Sequence, residues 1–225
     1  RKKGYDTCHV GKWHLNGHFN STKQPQPDDH GYNHWMATQN NAAPSHKNPK
    51  NFVLNGKPMG LLEGYAAPLV AQEGVRWLKE VRDREKPFLL SVWTHEPHLP
   101  IESAEEFMEP YLNIKDEGIR QHHGNITQLD HAFGIVMEAL DKLGLQDNTI
   151  VFFTSDNGPV WYPRDVERFG HAATGPWRPS ARRRLPRCRA SSAVPGSSRV
   201  GAIAASPPRR RATSNRRFGS GRSGW

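Results

Sequence analysis

The chain has 225 residues and a formal net charge of +9, but the charge is unevenly distributed. Residues 178–225 contain 13 Arg and no Lys, Asp or Glu, so residues 1–177 carry about −4 by subtraction. The basic character therefore belongs to one segment and does not mark the whole chain as a nucleic-acid-binding protein. The two cysteines, Cys8 and Cys188, give neither a disulfide framework nor a zinc spacing. No apolar run is long enough to span a membrane.

The first third of the chain is predicted to hold one strand and a long connection. Residues 4–10 favour a strand that enters a turn at Gly11-Lys12. Residues 16–68 are rich in Pro, Asn, Gly and His and show little periodicity. This composition predicts an irregular connection, and a connection of that length inside a domain is usually functional or poorly ordered.

Periodic segments begin after this connection. Apolar residues gather on one side of a helix predicted over residues 69–84, which Lys86-Pro87 ends. The apolar run at residues 88–93 is typical of a strand buried in a parallel sheet. Ser103 is predicted to cap a short helix, with Glu106 at the spacing of a capping box.

The clearest helix is predicted over residues 117–143, where apolar positions alternate spacings of three and four before Gly144. The members of this stripe are Ile119, His122, Ile126, Leu129, Phe133, Val136, Leu140 and Leu143. Residues 149–154 then favour a central strand. The alternation of helices and strands predicts an α/β fold with a mostly parallel central sheet flanked by helices.

Three polar clusters each follow a predicted strand. They are Lys12 with His14, His95 with His98, and Asp156 with Asn157. Ligands of parallel α/β sheets bind at the carboxyl ends of the strands, so we expect these clusters to converge on one site.

Each cluster has a chemical interpretation and an ordinary structural one. Lys12 and His14 suit a tetrahedral oxyanion such as sulfate or phosphate, although a solvated Lys and a hydrogen-bonded His are the alternative. Asp156 and Asn157 offer oxygen ligands for Ca²⁺ or Mg²⁺, although the spacing alone favours an Asx turn. His95 lies in His-Glu-Pro-His, where the proline breaks the helical spacing that a zinc site needs, and a lone His after a strand is more often structural.

The run Gly-Tyr-Asp-Thr-Cys-His-Val-Gly-Lys-Trp-His-Leu at residues 4–15 resembles the second signature of the formylglycine-dependent sulfatases. The resemblance implies that Lys12 holds the sulfate and the nucleophile, and that His14 hydrogen-bonds the nucleophile's hydroxyl. Residues 94–98 resemble the family segment in which a His contacts the sulfate and the leaving oxygen, a role that falls to His95. Residues 154–158 resemble a motif that supplies two Ca²⁺ ligands, here Asp156 and Asn157.

The resemblance covers residues 1–177 and corresponds to the middle of a sulfatase catalytic domain, of the arylsulfatase or N-acetylgalactosamine-6-sulfatase type. It implies a partial alkaline-phosphatase-like fold and a parent enzyme that hydrolyses aryl or sugar sulfates with a formylglycine nucleophile and Ca²⁺. No specific nucleic acid and no membrane is implied as a partner. A periplasmic, secreted or lysosomal location is implied for the parent.

Several parts of the family pattern are missing from this sequence. There is no C/S-x-P-S-R motif to supply the formylglycine, and no acidic pair precedes Lys12. A second lysine is expected after a run that Gly175-Pro176-Trp177-Arg178 begins, but no Lys follows it. We therefore expect a fragment that binds Ca²⁺ weakly and does not turn over sulfate esters.

Residues 178–225 combine a charge of +13 with few large apolar side chains, which predicts disorder. Arg without Lys, mixed with Ser, Pro, Ala and Gly, favours translation of GC-rich DNA out of frame, and a natural basic tail is the alternative. Two further functions stay open. One is nucleic-acid binding through this tail, which has only Phe218 and Trp225 for stacking. The other is a phosphatase or phosphonate hydrolase of the same fold.

Overall fold

The computed structural model describes residues 2–156 and, as backbone, residues 200–205. Within these residues the chain forms seven strands and three α-helices. The strands are β1 (Asp6–Lys12), β2 (His34–Thr38), β3 (Val53–Leu54), β4 (Lys57–Pro58), β5 (Phe88–Trp93), β6 (Ile150–Ser155) and β7 (Val200–Ala205). The helices are α1 (Ala66–Arg76), α2 (Glu105–Met108) and α3 (Glu117–Lys142). None of these helices is long and apolar enough to cross a membrane.

The strands form one mixed sheet in the order β4-β3-β2-β1-β5-β7-β6. β1 pairs in parallel with β2 and with β5, whereas β7 runs antiparallel between β5 and β6. β6 therefore points in the same direction as β5 without pairing with it. The predicted α/β class is confirmed, and the parallel centre is bordered by an antiparallel β3–β4 hairpin on one side and β7 on the other.

The main core lies between the sheet and the two long helices. Alternate residues of β1 and β5, among them Val10 and Leu90, point toward α1 and α3 and are fully buried. Val70 of α1 and Leu140 of α3 pack into the same core. The opposite face of the sheet carries a smaller buried cluster, which consists of Trp13, Trp35, Ala37 and Val53.

Gly11 sits inside β1, where the sequence predicted a turn. Its φ of +107° favours glycine, and a Cβ at this position would lie 1.8 Å from the carbonyl oxygen of Trp93 on the paired strand. The absence of a side chain lets β1 stay paired with β5 as far as Gly11 and with β2 as far as Lys12. The predicted turn at Gly11-Lys12 is therefore wrong, and Lys12 is the last residue of the strand.

Two other boundaries differ from the sequence prediction. The segment predicted as irregular contains β2, a fully buried strand beside β1 that is only five residues long and follows a Gly-Tyr-Asn run. The first helix begins at Ala66 and continues beyond Arg76 as a π-helical turn over Trp77–Val81.

The predicted cap of the short helix is also wrong. α2 begins after Ala104 and has no side-chain cap. The hydroxyl of Ser103 instead donates to the backbone oxygen of Gln121 in α3, 2.6 Å away. Ser103 therefore joins two helices and does not start one.

The long helix lies where it was predicted, but the face that it buries differs from the predicted apolar stripe and includes polar residues. Asp116 caps the helix by accepting from the backbone N–H of Ile119. Asn125 and Gln128 are fully buried, whereas Ile126 of the predicted stripe is 43% exposed. The burial of two amides indicates a polar neighbourhood beneath this end of the sheet.

Residues 200–205, within the segment predicted to be disordered, form strand β7. Residues 200–205 read Val-Gly-Ala-Ile-Ala-Ala, a run of the tail without Arg or Pro, and its backbone pairs on both sides. A strand paired along both edges satisfies its backbone groups, which compensates for the entropy of ordering it. The rest of the tail and the run at residues 175–178 lie outside the described residues.

Candidate active site

Lys12 lies at the carboxyl end of β1 and is completely buried. Its Nζ donates a hydrogen bond of 3.0 Å to Oδ1 of Asn41, and its backbone is in register with Thr38 of β2. A buried ammonium is costly unless polar or anionic groups surround it. The fold therefore holds a cation at the edge where ligands of parallel sheets bind.

Asn41 connects Lys12 with the turn that follows β5. Its Nδ2 lies 2.8 Å from the backbone oxygen of Leu99 and 2.9 Å from Nδ1 of His98. Sequence reasoning missed Asn41, because an Asn in an Asn-rich loop carries no signal of its own. It became visible only when the fold brought the loop against Lys12.

His95 is joined to the same cluster through Thr38. The Thr38 hydroxyl lies 2.7 Å from Nε2 of His95 and 2.6 Å from the backbone oxygen of Asn40. A hydroxyl has one proton, and if Thr38 gives it to the carbonyl, then Nε2 of His95 is the donor to Thr38. The other ring nitrogen, Nδ1, is buried and has no hydrogen-bond partner among the described residues.

The environment keeps His95 uncharged. Burial, and after it the nearby His46 and Lys12, hold the pKa of His95 well below its ordinary value. A neutral imidazole beside a lysine adds no further charge to the site. The cationic character of the described cluster therefore comes from Lys12.

A second polar layer lies beneath His95. The buried carboxylate of Glu96 accepts from the backbone N–H of Ala67 at the start of α1, at 2.9 Å, and from Nε2 of Gln128 in α3, at 3.2 Å. Nδ1 of His46 lies 4.0 Å from the same carboxylate oxygen. Burial lowers the pKa of His46, an effect that Glu96 opposes. This layer explains why the buried face of α3 carries amides.

Two further predicted site residues, His14 and Asp156, follow strands that end at the same edge of the sheet. His14 follows β1 by two residues and is half-buried. Its φ of +48° is unusual for a residue other than glycine, and its backbone N–H donates to the backbone oxygen of Gln39. Asp156 follows β6, which runs parallel to β1, and is exposed. Asn157 lies outside the described residues. Lys12 and His95 are thus brought into one network, and the predicted roles of all five residues stay predictions.

Across residues 2–156 and 200–205, no group of three or more His, Cys, Asp or Glu side chains is arranged to hold a metal ion. Asp156 is the one predicted ligand in this part of the chain, whereas Ca²⁺ takes about six to eight oxygen ligands.

Comparison with known proteins identifies the family to which the chain belongs. The family model described as Sulfatase matches residues 1–220. The chain belongs to the sulfatase family. The matched range extends past Trp177, where the resemblance read from the sequence ended.

Among curated sulfatases, the ulvan-active sulfatase of Formosa agariphila is 29% identical over 187 residues, covering 75% of this chain and 36% of the relative. The endo-4-O-sulfatase of Bacteroides thetaiotaomicron is 31% identical and covers 70% of this chain and 38% of the relative. The human N-acetylgalactosamine-6-sulfatase is 30% identical, with 70% and 31% covered. The chain spans about a third of the length of these relatives.

Solved structures agree on the fold. Ps i-CgsB in complex with k-i-k-neocarrahexaose superposes with a TM-score of 0.63 at 21% identity, covering 92% of this chain and 46% of that protein. A Bacteroides thetaiotaomicron protein described for the metabolism of multiple glycosaminoglycans gives a TM-score of 0.57 at 26% identity, with 68% and 39% covered. The predicted alkaline-phosphatase-like class is therefore confirmed.

Proposed function

We propose that the complete protein is a sulfuric ester hydrolase that acts on sulfated sugars, and that the chain supplies part of its sulfate-binding site. The observation that carries the proposal is the buried Lys12 at the carboxyl edge of the sheet, held by Asn41 beside a neutral His95. The relatives named for ulvan, a 4-O-sulfate and N-acetylgalactosamine-6-sulfate support the choice of a sugar sulfate.

Lys12 acts as a fixed positive charge for the sulfate group. Sulfuryl transfer concentrates negative charge on the transferred oxygens and on the leaving oxygen. An ammonium that is already in place stabilises this charge without reorganisation of solvent. A buried lysine is therefore suited to bind the ester and to stabilise its transition state.

His95 requires an exchange of partners before it can donate to a sulfate oxygen. If its Nε2–H is given to Thr38, the neutral ring offers only an acceptor elsewhere. We therefore propose that sulfate replaces Thr38 as the partner of Nε2–H. His14, two residues beyond Lys12, is proposed to orient the nucleophile, as the resemblance implies.

The nucleophile and the metal are proposed for the complete enzyme and not for this chain. A formylglycine would require the C/S-x-P-S-R motif, which this sequence lacks. Ca²⁺, when bound, would neutralise charge on the sulfate, and Asp156 and Asn157 are the ligands that we propose for it. We propose that the chain binds a sulfate ester and does not hydrolyse it.

The proposal is tested by calorimetric titration of the chain with 4-nitrophenyl sulfate, with 4-nitrophenyl phosphate as the paired ester. We expect saturable binding of the sulfate that weakens at least about tenfold in Lys12→Ala, since a charge-assisted hydrogen bond is lost. Lys142→Ala is the control, because that side chain is 69% exposed at the end of α3. Equal affinity of the wild-type chain and Lys12→Ala would contradict the proposal. Preference for the phosphate would favour the phosphatase alternative.

Absence of turnover is tested by release of 4-nitrophenol with added Ca²⁺. We expect none from the wild-type chain. Turnover that both Lys12→Ala and His95→Ala abolish would show that another residue acts as nucleophile. Cys8 lies close in sequence to Lys12, but it is buried and its pKa is raised well above the ordinary value, chiefly by burial. Such a thiol is poorly ionised and weakly reactive.

A further inference from the structure

We propose that Asn41 is a positioning residue that fixes the ammonium of Lys12 against the turn after β5, so that its charge is already oriented for an anion. The inference deepens the proposed function and rests on it for the identity of the anion. The hydrogen bonds of Asn41 connect three parts of the chain: the end of β1, the loop after β2, and the turn at residues 97–99.

The orientation of the Asn41 amide is determined by its partners. The Lys12 ammonium can only donate, so it requires the amide oxygen, and the distance of 3.0 Å to Oδ1 agrees with this. The amide NH₂ must then face the turn, where the backbone oxygen of Leu99 accepts at 2.8 Å. An amide can serve both partners at once, because it carries an acceptor and donors on one planar group.

The backbone around Asn41 is also fixed. Nδ2 of Asn51 donates to the backbone oxygen of Asn41 at 2.9 Å, and the preceding carbonyl, of Asn40, accepts from Thr38 at 2.6 Å. Thr38 contacts His95 as well. A displacement of Asn41 would therefore be transmitted to both Lys12 and His95.

The neutrality of Asn41 matters as much as its position. A lysine side chain has four flexible carbons, and fixing it before a ligand arrives reduces the entropy lost on binding. A carboxylate at the same place would also hold the ammonium, but it would cancel the charge that an anion needs. The structure thus predicts different effects for loss of the contact and for introduction of a negative charge.

The first experiment measures Lys12 without any ligand. The chain is treated with acetic anhydride, and acetylation of the Lys12 peptide is compared with that of the exposed Lys142 by mass spectrometry. We expect slow modification of Lys12 in the wild type and in the isosteric Asn41→Asp, and modification at least about fivefold faster in Asn41→Ala. Asn113→Ala, in an exposed loop, is the matched control and should resemble the wild type. An unchanged rate in Asn41→Ala would overturn the positioning role.

The second experiment measures binding of 4-nitrophenyl sulfate by calorimetry. We expect affinity to fall about tenfold in Asn41→Ala, equivalent to about 1.4 kcal/mol, and further in Asn41→Asp. Lys12→Ala and Lys12→Ala/Asn41→Ala should bind alike, because Asn41 acts through Lys12. An equal loss from Asn41→Ala with and without Lys12 would overturn the inference. Faster acetylation in Asn41→Ala together with no binding by the wild type would leave the positioning role standing and refute the proposed function.

Discussion

Thr38 Oγ1 lies 2.7 Å from Nε2 of His95, and both residues are buried at the carboxyl edge of the sheet. The contact joins β2 to the turn after β5 across β1, which carries Lys12 between them. Because both side chains are buried, a water molecule cannot take the place of either hydrogen-bond partner. The pair therefore contributes to stability as well as to the arrangement of the site.

Substitution of this hydroxyl tests the stability contribution. Thr38→Val keeps the shape of the side chain and leaves Nε2 of His95 unsatisfied, so the free energy of unfolding should fall by about 1–3 kcal/mol. Thr38→Ser retains the hydroxyl and should lose less. Urea denaturation of both variants checks this. An unfolding free energy in Thr38→Val equal to that of the wild type would show that the hydrogen bond does not contribute to stability.

Stability should fall as the pH is lowered below about 6.5, the ordinary pKa of histidine. Burial keeps the pKa values of His95 and His46 below this value in the folded chain. Between the folded and unfolded pKa the unfolded state binds more protons, so acid favours unfolding. Each such imidazole adds about 1.4 kcal/mol per pH unit to the slope.

Urea denaturation between pH 7.5 and pH 5 measures this slope. His46→Gln should make this slope shallower. The same slope in the wild type and in His46→Gln would show that His46 takes up its proton in the folded chain as well.

Gly11→Ala should be one of the most damaging single changes in the described part of the chain. The new Cβ would lie 1.8 Å from the Trp93 carbonyl oxygen, in a backbone conformation that alanine avoids. We expect a loss of more than about 4 kcal/mol in unfolding free energy, or failure to fold. Gly134→Ala is the matched control.

At Gly134, in α3, no atom of the described residues lies within 4 Å of the added Cβ apart from the helix's own neighbouring backbone. That substitution should stabilise the chain by about 0.5–1 kcal/mol through helix propensity. Denaturation curves of the two variants should therefore shift in opposite directions. A tolerated Gly11→Ala would show that β1 and β5 separate more easily than their register indicates.

Calcium binding should be weak. Asp156 and Asn157 supply two ligands, and a complete Ca²⁺ site needs several more oxygens. We expect calorimetry to give a dissociation constant well above the micromolar range. Micromolar or tighter affinity that Asp156→Ala abolishes would show that residues not assigned to the site complete it.

Local patterns predicted the elements that depend on periodicity. The stripe after Asp116 predicted α3, and the apolar run at residues 88–93 predicted β5 with its observed bounds. Position after a strand was also enough to bring Lys12 and His95 to one edge, because parallel strands present their carboxyl ends together. The family signature around Lys12 then gave the function class.

The contacts within the site could not be read from the sequence. β2 is five residues long and lies in a polar region, so its buried place beside β1 depends on tertiary pairing and not on its own pattern. Asn41, which follows it, became a site residue only through that pairing. Gln128 is a second example. A polar residue is not expected in the core, and its burial is explained by its hydrogen bond to Glu96, which the sequence does not show.

The order of the strands has a consequence for the way the molecule assembles. Among the described strands β6 pairs only with β7, and in that pairing Ser155 lies opposite Val200 and Ile150 opposite Ala205. During synthesis, β6 thus leaves the ribosome before the strand that attaches it to the sheet has been made. Until then Phe152 and Phe153, which are largely exposed even in the folded chain, belong to an unpaired strand edge. The final position of Asp156 is therefore set late, by residues translated well after it.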